Sequence, residues 1–187
     1  MKYEIITIGV SLGGLDAVKT IIEKLPVNFP LPIVIVQHRK STTDNTLQIL
    51  LSYYGKMKVI EPEDKEEIKP GMIYLAPTDF HLLFEEKHFS LSLDPPVNYA
   101  RPSIDVLFES AADIYRSKVI GIILTGSSKD GAAGLAAIKL RGGYAIVQDP
   151  STAESDILPK VAIALVPDAE ILTLNEIASL LVKLKNV

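Results

Sequence analysis

The chain has 187 residues, of which 48% are apolar and 22% charged, and this balance indicates one folded domain spanning residues 1–187. A formal net charge of −4 without a basic stripe argues against nucleic acid as a partner, and the absence of cysteine excludes disulfides, a thiol nucleophile and thiolate metal sites. Because no apolar stretch reaches the ~20 residues of a membrane helix and no signal peptide is visible, we expect a cytoplasmic protein without direct membrane insertion.

Strand-like and helix-like segments alternate along the first third of the chain. Apolar β-branched residues predict a strand over residues 3–8, and apolar residues in helical phase predict a helix over residues 14–25. A short strand over residues 33–36 follows, and a helix capped at Thr43 or Asp44 comes next. This alternation is typical of an α/β fold with a doubly wound, mostly parallel sheet and helices on both faces.

The middle of the chain differs, because three strand-like runs follow one another without helices between them. Residues 73–75, 81–84 and 89–93 predict an antiparallel extension with a small hairpin at one edge of the sheet. The alternation resumes with a helix over residues 103–115 and an apolar strand over residues 119–124. The remaining segments predict a helix over 132–141, a strand over 145–147, a helix after Pro159 and a terminal helix from about Asn175.

Three chemically useful side chains follow predicted parallel strands at the points where these strands end. Ser11 lies in a glycine-rich turn after the first strand, His38 follows the second, and Asp130 lies in the loop after residues 119–124. Because the carboxyl ends of parallel strands meet at one edge of a sheet, we expect these residues to lie together. Serine, imidazole and carboxylate form an acyl-transfer triad, in which the imidazole takes the hydroxyl proton and the carboxylate orients the ring.

Each of these residues, taken alone, also has another explanation. The turn around Ser11 suits phosphate or dinucleotide binding, Asp130 can cap the following helix, and His38 can be a structural histidine. The dinucleotide alternative is weakened because Gly9-Val10-Ser11 breaks the Gly-x-Gly fingerprint and His38 stands where an acidic ribose partner is expected. The turn also matches the nucleophile elbow of α/β-hydrolases, but their chain order is serine, acid, histidine, whereas here the histidine precedes the acid.

Blocks of sequence well beyond these residues resemble the catalytic domain of the chemotaxis protein-glutamate methylesterases (CheB type). They occur in the family's order over about residues 5 to 165, which makes the resemblance far more specific than any one motif. The matching blocks are residues 8–14, 36–38, 69–71, 74–77, 79–82, 98–108, 121–126, 129–135 and 148–149.

The resemblance implies hydrolysis of methyl esters on γ-glutamyl side chains of chemoreceptors, with release of methanol, as part of chemotaxis adaptation. It also implies deamidation of particular receptor glutamines, and partners that are the cytoplasmic helices of methyl-accepting chemoreceptors. No cofactor or metal is expected. Carried over by position, Ser11 is the nucleophile, His38 is the general base and then acid, and Asp130 is its orienting partner.

The resemblance further implies roles for residues around the triad. The backbone N–H of Ser127 is expected to help hold the oxyanion, and Tyr99 and Arg101 are expected near the cleft, where they can contact the receptor helix. His81 is expected in a structural turn, and His88 in a solvated hairpin turn.

The chain departs from the usual family pattern at four places. Leu12 replaces a small polar residue, Arg39 and Lys40 replace methionine and proline, and Ser127 stands where methionine is typical. Residues 155–159 replace a glycine-methionine-proline stretch. These changes keep two alternatives open, namely a catalytically weak receptor-binding homologue and a small-molecule carboxylesterase. No receiver domain precedes these blocks in the given sequence, so either the chain is a stand-alone methylesterase-like domain or it is an excised domain. For the stand-alone form we expect constitutive access to Ser11.

Overall fold

The computed structural model describes residues 2–39 and 45–184. The predicted cap at Thr43 or Asp44 and the rim residue Lys40 lie outside the described residues. In chain order the elements are β1 (Ile5–Val10), α1 (Gly14–Ile22), β2 (Ile33–Gln37), α2 (Thr46–Tyr54), β3 (Lys58–Ile60), β4 (Met72–Leu75), β5 (His81–Glu85), β6 (His88–Ser92), α3 (Ile104–Tyr115), β7 (Val119–Ile123), α4 (Ala132–Leu140), β8 (Tyr144–Gln148), α5 (Ile157–Leu165), β9 (Glu170–Leu172) and α6 (Leu174–Leu184).

Seven strands form one sheet in the order β3-β4-β2-β1-β7-β8-β9, and every neighbouring pair is parallel. Helices α1, α2 and α6 pack on one face, and α3, α4 and α5 pack on the other. All six residues of β1 are buried, because a central strand covered on both faces needs apolar residues on both sides. The prediction of a doubly wound, mostly parallel sheet is confirmed.

The antiparallel hairpin is confirmed as β5 and β6, which form a two-stranded sheet of their own packed against α3. The run over residues 73–75 differs from its prediction, because β4 pairs in parallel with both β2 and β3 inside the main sheet. Ile73, Tyr74 and Leu75 are fully buried, which explains a position between two strands rather than in an exposed extension. The short strand β9 at the sheet edge was not predicted.

The strand order places a crevice at the carboxyl end of β1. The chain continues from β1 to β2 on one side, whereas β7 lies on its other side, so the loops after these three strands diverge above β1. Such a switch point is where open parallel sheets bind their ligands. No helix in residues 2–39 and 45–184 is long and apolar enough to cross a membrane.

Candidate active site

The predicted imidazole and carboxylate meet at this crevice. His38 Nε2 lies 2.8 Å from Asp130 Oδ2. The Asp130 side chain is fully buried, whereas that of His38 is 15% exposed and therefore open to a substrate. His38 is fixed to the sheet by its backbone N–H, which donates to the carbonyl of Val10 at 3.0 Å.

Asp130 is held as a carboxylate by the groups around it. Burial raises its pKa, but hydrogen bonds from His38, Ser103 and the backbone of Ile104 outweigh burial and hold the pKa below its ordinary value of 3.8. The Ser103 hydroxyl donates to Oδ1 at 2.6 Å, and the N–H of Ile104 donates to Oδ2 at 2.7 Å. A carboxylate only accepts hydrogen bonds, so His38 Nε2 carries a proton, and in the neutral ring Nδ1 has the free lone pair. The basic nitrogen of the site is therefore Nδ1.

Asp130 does not cap the helix that follows it, as the alternative explanation required. Gly131 occupies the N-cap position of α4, and the N–H groups of Gly131 and Gly134 donate to Asp105 Oδ1 at 2.9 and 2.7 Å. Asp130 instead accepts from the first residue of α3, Ile104. Asp105, in the first turn of α3, thus accepts from N–H groups at the start of α4. Asp130, which precedes α4, accepts from the N–H of Ile104 at the start of α3.

Asp105 is a site residue that the sequence analysis missed. Burial raises its pKa to about 6; Asp130 adds to the rise, and the N–H groups of Gly134 and Gly131 oppose it. Its Oδ2 accepts from Asn98 Nδ2 at 2.9 Å, which ties the loop before α3 to the floor of the site. The sequence feature that could have identified Asp105 was an acidic residue in the first turn of a predicted helix that otherwise begins with apolar residues.

Ser11 lies in the turn between β1 and α1, and backbone hydrogen bonds fix this turn. Its N–H donates to Thr125 O at 3.0 Å, and its carbonyl accepts from Gly14 N at 3.0 Å and from Gln37 Nε2 at 2.8 Å. A Cβ on Gly126 would lie 3.0 Å from the Cβ of Ser11, so glycine is needed for the close approach of the two loops.

Gln37 is a second positioning residue that the sequence analysis missed. Its Nε2 donates to the carbonyls of both Ser11 and His38, at 2.8 and 3.0 Å, and so joins the turn of the nucleophile to the loop of the base. The available signal was a polar side chain at the end of an apolar strand, next to His38.

Ser11 and His38 line one cavity of about 720 Å³ together with Ser127. Within residues 2–39 and 45–184, neither the Ser11 hydroxyl nor His38 Nδ1 makes a hydrogen bond, and the Ser127 N–H donates to no group. The three residues predicted to supply the nucleophile, the general base and an oxyanion donor therefore line the same cavity. An apolar wall beside them is formed by Leu12, Leu15, Leu47 and Leu50.

A second cavity, of about 420 Å³, is also lined by His38, and it contains both predicted contact residues. Tyr99 is 103% exposed and has a left-handed backbone with φ 64°, a costly conformation for a tyrosine that buries no surface. Arg101 Nη1 donates to the carbonyls of Leu93 and Asp94 at 3.0 and 3.2 Å. Both residues thus border the crevice, and their contact with substrate stays a prediction.

The other two histidines are the first residues of β5 and β6, so the prediction that they lie in turns is wrong, whereas the structural role of His81 and the exposure of His88 are as expected. His81 is buried, and its Nδ1 accepts from the N–H of Ser103 at 3.2 Å while Nε2 lies 3.1 Å from the carbonyl of Pro95. His88 is exposed at the start of β6. Within the described ranges, no group of three histidine or acidic side chains is placed to hold a metal ion.

The chain is similar in sequence to known proteins. The family described as CheB methylesterase matches residues 6–181. A Leptospira interrogans protein is 50% identical over 185 residues, which cover 98% of this chain and 96% of that protein. A Thermotoga maritima protein named protein-glutamate methylesterase/protein-glutamine glutaminase is 41% identical over 164 residues, which cover 86% of this chain and 48% of that protein.

A solved structure is similar over nearly the whole chain. The crystal structure of the Thermotoga maritima CheB methylesterase catalytic domain superposes with a TM-score of 0.93 at 38% identity, covering 98% of this chain and 100% of that one. The fold, the order of its elements and the sequence therefore lead to one conclusion. The chain belongs to the CheB methylesterase family.

Proposed function

We propose that this protein is a serine hydrolase that removes methyl esters from γ-glutamyl side chains of chemoreceptors and deamidates glutamine side chains at the same site. The observation that carries the proposal is the buried Asp130 carboxylate bound to His38 at the cavity that Ser11 lines. The family supplies the substrate class, and the name of the Thermotoga relative includes both activities.

The first half of the reaction forms an acyl-enzyme. His38 Nδ1 accepts the proton of the Ser11 hydroxyl while Oγ attacks the ester carbonyl, and Asp130 stabilises the imidazolium through Nε2. The N–H groups of Ser127 and of Leu12, the residue after the nucleophile, donate to the oxyanion. The tetrahedral intermediate collapses as Nδ1–H protonates the methoxide, and methanol leaves.

The second half returns the enzyme to its starting state. Water attacks the acyl-enzyme carbonyl, and His38 Nδ1 takes the proton of that water as a general base. Collapse of the second tetrahedral intermediate returns the proton to Ser11 Oγ and releases the γ-carboxylate of glutamate. A glutamine substrate follows the same steps with ammonia as the leaving group.

The remaining parts of the proposal follow from the same site. Residues 1–187 act as one catalytic domain in the cytoplasm, the partners are the cytoplasmic helices of methyl-accepting chemoreceptors, and the steps above use no cofactor. The triad supplies nucleophile, base and orienting acid from this chain alone, and Tyr99 and Arg101 contact the receptor helix beside it.

One observation favours a second candidate function, hydrolysis of small apolar esters. The cavity at Ser11 has the volume typical of small-molecule sites, and four leucines form one wall of it. A carboxylesterase would place the alkyl or aryl part of its substrate against this wall and use the same triad. Turnover of aryl esters without turnover of methylated receptor would favour this candidate.

The proposal is tested by methanol release from a methylated receptor cytoplasmic fragment. We expect release by the wild-type protein and a loss of at least about 10⁴-fold in Ser11→Ala, since the reaction then has no nucleophile. The control is Ser179→Ala, because Ser179 is exposed on α6, away from the cavity. Receptor binding without Ser11-dependent methanol release would instead identify a binding homologue.

A further inference from the structure

The second cavity at His38 differs in charge from the cavity that contains Ser11. The two adjoin, because His38 and Arg39 line both. Among the described residues, Arg39 and Arg101 line the second cavity and no acidic residue does, although the whole chain carries a net charge of −4. We refer to it as the cationic cavity; its other lining residues are Asn98, Tyr99, Ala100, Pro102 and Ser128.

Arg101 supplies a positive charge that no carboxylate neutralises. Its Nη1 is used by two backbone carbonyls, and within the described ranges it forms no ion pair. A guanidinium has five N–H donors in a planar fork, so Nη2 and Nε stay available to a ligand. Arg101 is therefore oriented by the backbone and keeps the donors that recognise a planar anion such as a carboxylate.

Arg39 lies where the two cavities join, in a position that stability alone does not explain. Its Nη2 pairs with Glu61, and its side chain is only 15% exposed. Within residues 2–39 and 45–184 its buried Nε has no hydrogen-bond partner, which is rare and destabilising for a charged donor group. The pairing with Glu61 holds the guanidinium at the entrance to the cationic cavity.

We propose that the cationic cavity binds the carboxylate of an acidic side chain that neighbours the esterified glutamate on the substrate polypeptide, with Arg101 as its main partner. This inference rests on the proposed function. Side chains three or four positions apart on a helix are about 5–6 Å apart, so a helical substrate with its ester at Ser11 places such a neighbour in the adjoining cavity. The enzyme thereby selects esters with acidic neighbours.

Two matched helical peptides test this proposal. Each contains one glutamate γ-methyl ester. The positions three and four residues before it and three and four residues after it carry glutamate in one peptide and glutamine in the other. We expect the wild-type KM for methanol release to be about tenfold lower for the acidic peptide, with similar kcat, because the contact is equal in ground and transition states. In Arg101→Gln the ratio of the two KM values falls to about one.

Three further variants separate recognition from structure. Arg101→Lys keeps the charge without the fork and should give an intermediate ratio, and Arg39→Gln should lower the ratio by less than Arg101→Gln. Arg141→Gln removes an arginine that pairs with Asp113 on the surface, and it should keep the wild-type ratio. An unchanged ratio in Arg101→Gln, or no preference in the wild type, would overturn the proposal.

A binding measurement separates this proposal from the proposed function. Fluorescein-labelled peptides with glutamine in place of the ester are titrated with Ser11→Ala and with Ser11→Ala/Arg101→Gln, and anisotropy is recorded. Tighter binding of the acidic peptide only when Arg101 is present would support the cationic cavity. This holds even if the wild type releases no methanol, because absence of methanol release would reject only the proposed function. Equal affinity for the two peptides in Ser11→Ala would overturn the cavity proposal while methanol release still stands.

Discussion

The floor and the rim of the site are built in opposite ways. The floor comprises Ser103, Asp105 and Asp130, where each carboxylate oxygen accepts at least one hydrogen bond and all three residues are buried. The rim includes Leu12, which is 51% exposed, and Tyr99, which is fully exposed. The groups that we propose to fix the charge and the tautomer of the site are therefore buried and hydrogen-bonded, whereas the rim groups Leu12 and Tyr99 are exposed.

Three of the residues at which we expect the chain to depart from the family pattern, Leu12, Arg39 and Ser127, line the two cavities, whereas the departure at residues 155–159 lies outside them. A backbone N–H survives a change of side chain, so Leu12 and Ser127 can vary without loss of the oxyanion donors that we propose. We therefore expect floor substitutions to change rate and stability, and rim substitutions to change affinity for particular substrates.

The strongest test of the floor is Asp130→Asn. The asparagine oxygen replaces Oδ2, where it accepts from His38 and Ile104. Its NH₂ group replaces Oδ1, where the Ser103 hydroxyl can accept from it but the long hydrogen bond from the Asp105 N–H, at 3.4 Å, is lost. The tautomer of His38 is then kept, and the main change is the loss of the negative charge. We expect kcat to fall by about 10²- to 10³-fold, as for the loss of one electrostatic contact, and not by the ~10⁴-fold of a reversed tautomer.

The measurement is kcat for methanol release, with the His38 ring tautomer read from ¹⁵N chemical shifts of the resting enzyme. Ser103→Ala is the companion variant, because it removes one donor to Asp130 and leaves the charge in place. A kcat for Asp130→Asn within tenfold of wild type would show that the buried pair is structural and would remove Asp130 from the mechanism.

The placement of Ser11, His38 and Asp130 at one edge of the sheet was predictable, because each directly follows or closely follows a parallel strand. Gln37 and Asp105 were not, because their roles depend on contacts with residues distant in sequence. Asp105 caps a helix that begins 27 positions later, after its own helix and β7 have intervened. No periodicity or local motif carries that information.

The strand β4 gives the same lesson for the fold. A short apolar run such as residues 73–75 indicates burial, but it does not say which strands lie beside it or in which direction. Its neighbours β2 and β3 are set by the crossover connections of the sheet, and the antiparallel hairpin that follows it in sequence packs elsewhere, on α3.

A second test of the floor is the pH dependence of stability in Asp105→Asn. The folded protein raises the pKa of Asp105 from 3.8 to about 6, so its contribution to stability is complete below pH 4 and is lost as pH rises through 6. Relative to wild type, the asparagine variant should gain ~3 kcal/mol in free energy of unfolding between pH 4 and pH 7. Its amide oxygen still accepts from Gly131 and Gly134.

Urea unfolding at pH 4, 5, 6 and 7 measures this difference. Asp113→Asn on the same helix is the control, because the Asp113 side chain is 60% exposed, and its curve should run parallel to that of the wild type. If the Asp105→Asn curve is also parallel to wild type, the carboxyl group of Asp105 is not the group that titrates.

The smallest expected effect is at the rim, in Leu12→Thr. This substitution removes apolar surface from the leucine wall but keeps the backbone N–H beside Ser11, so kcat should stay within about twofold. The KM for an apolar aryl ester should rise about fivefold, since the substrate loses apolar contact with residue 12 equivalent to roughly one methylene group. The KM for methylated receptor should change less if its helix also contacts Tyr99 and Arg101, as we propose. Leu140→Thr, which alters a leucine that is 84% exposed on α4, should change neither KM. A loss of kcat in Leu12→Thr equal to that in Asp130→Asn would mean that rim and floor are not separate.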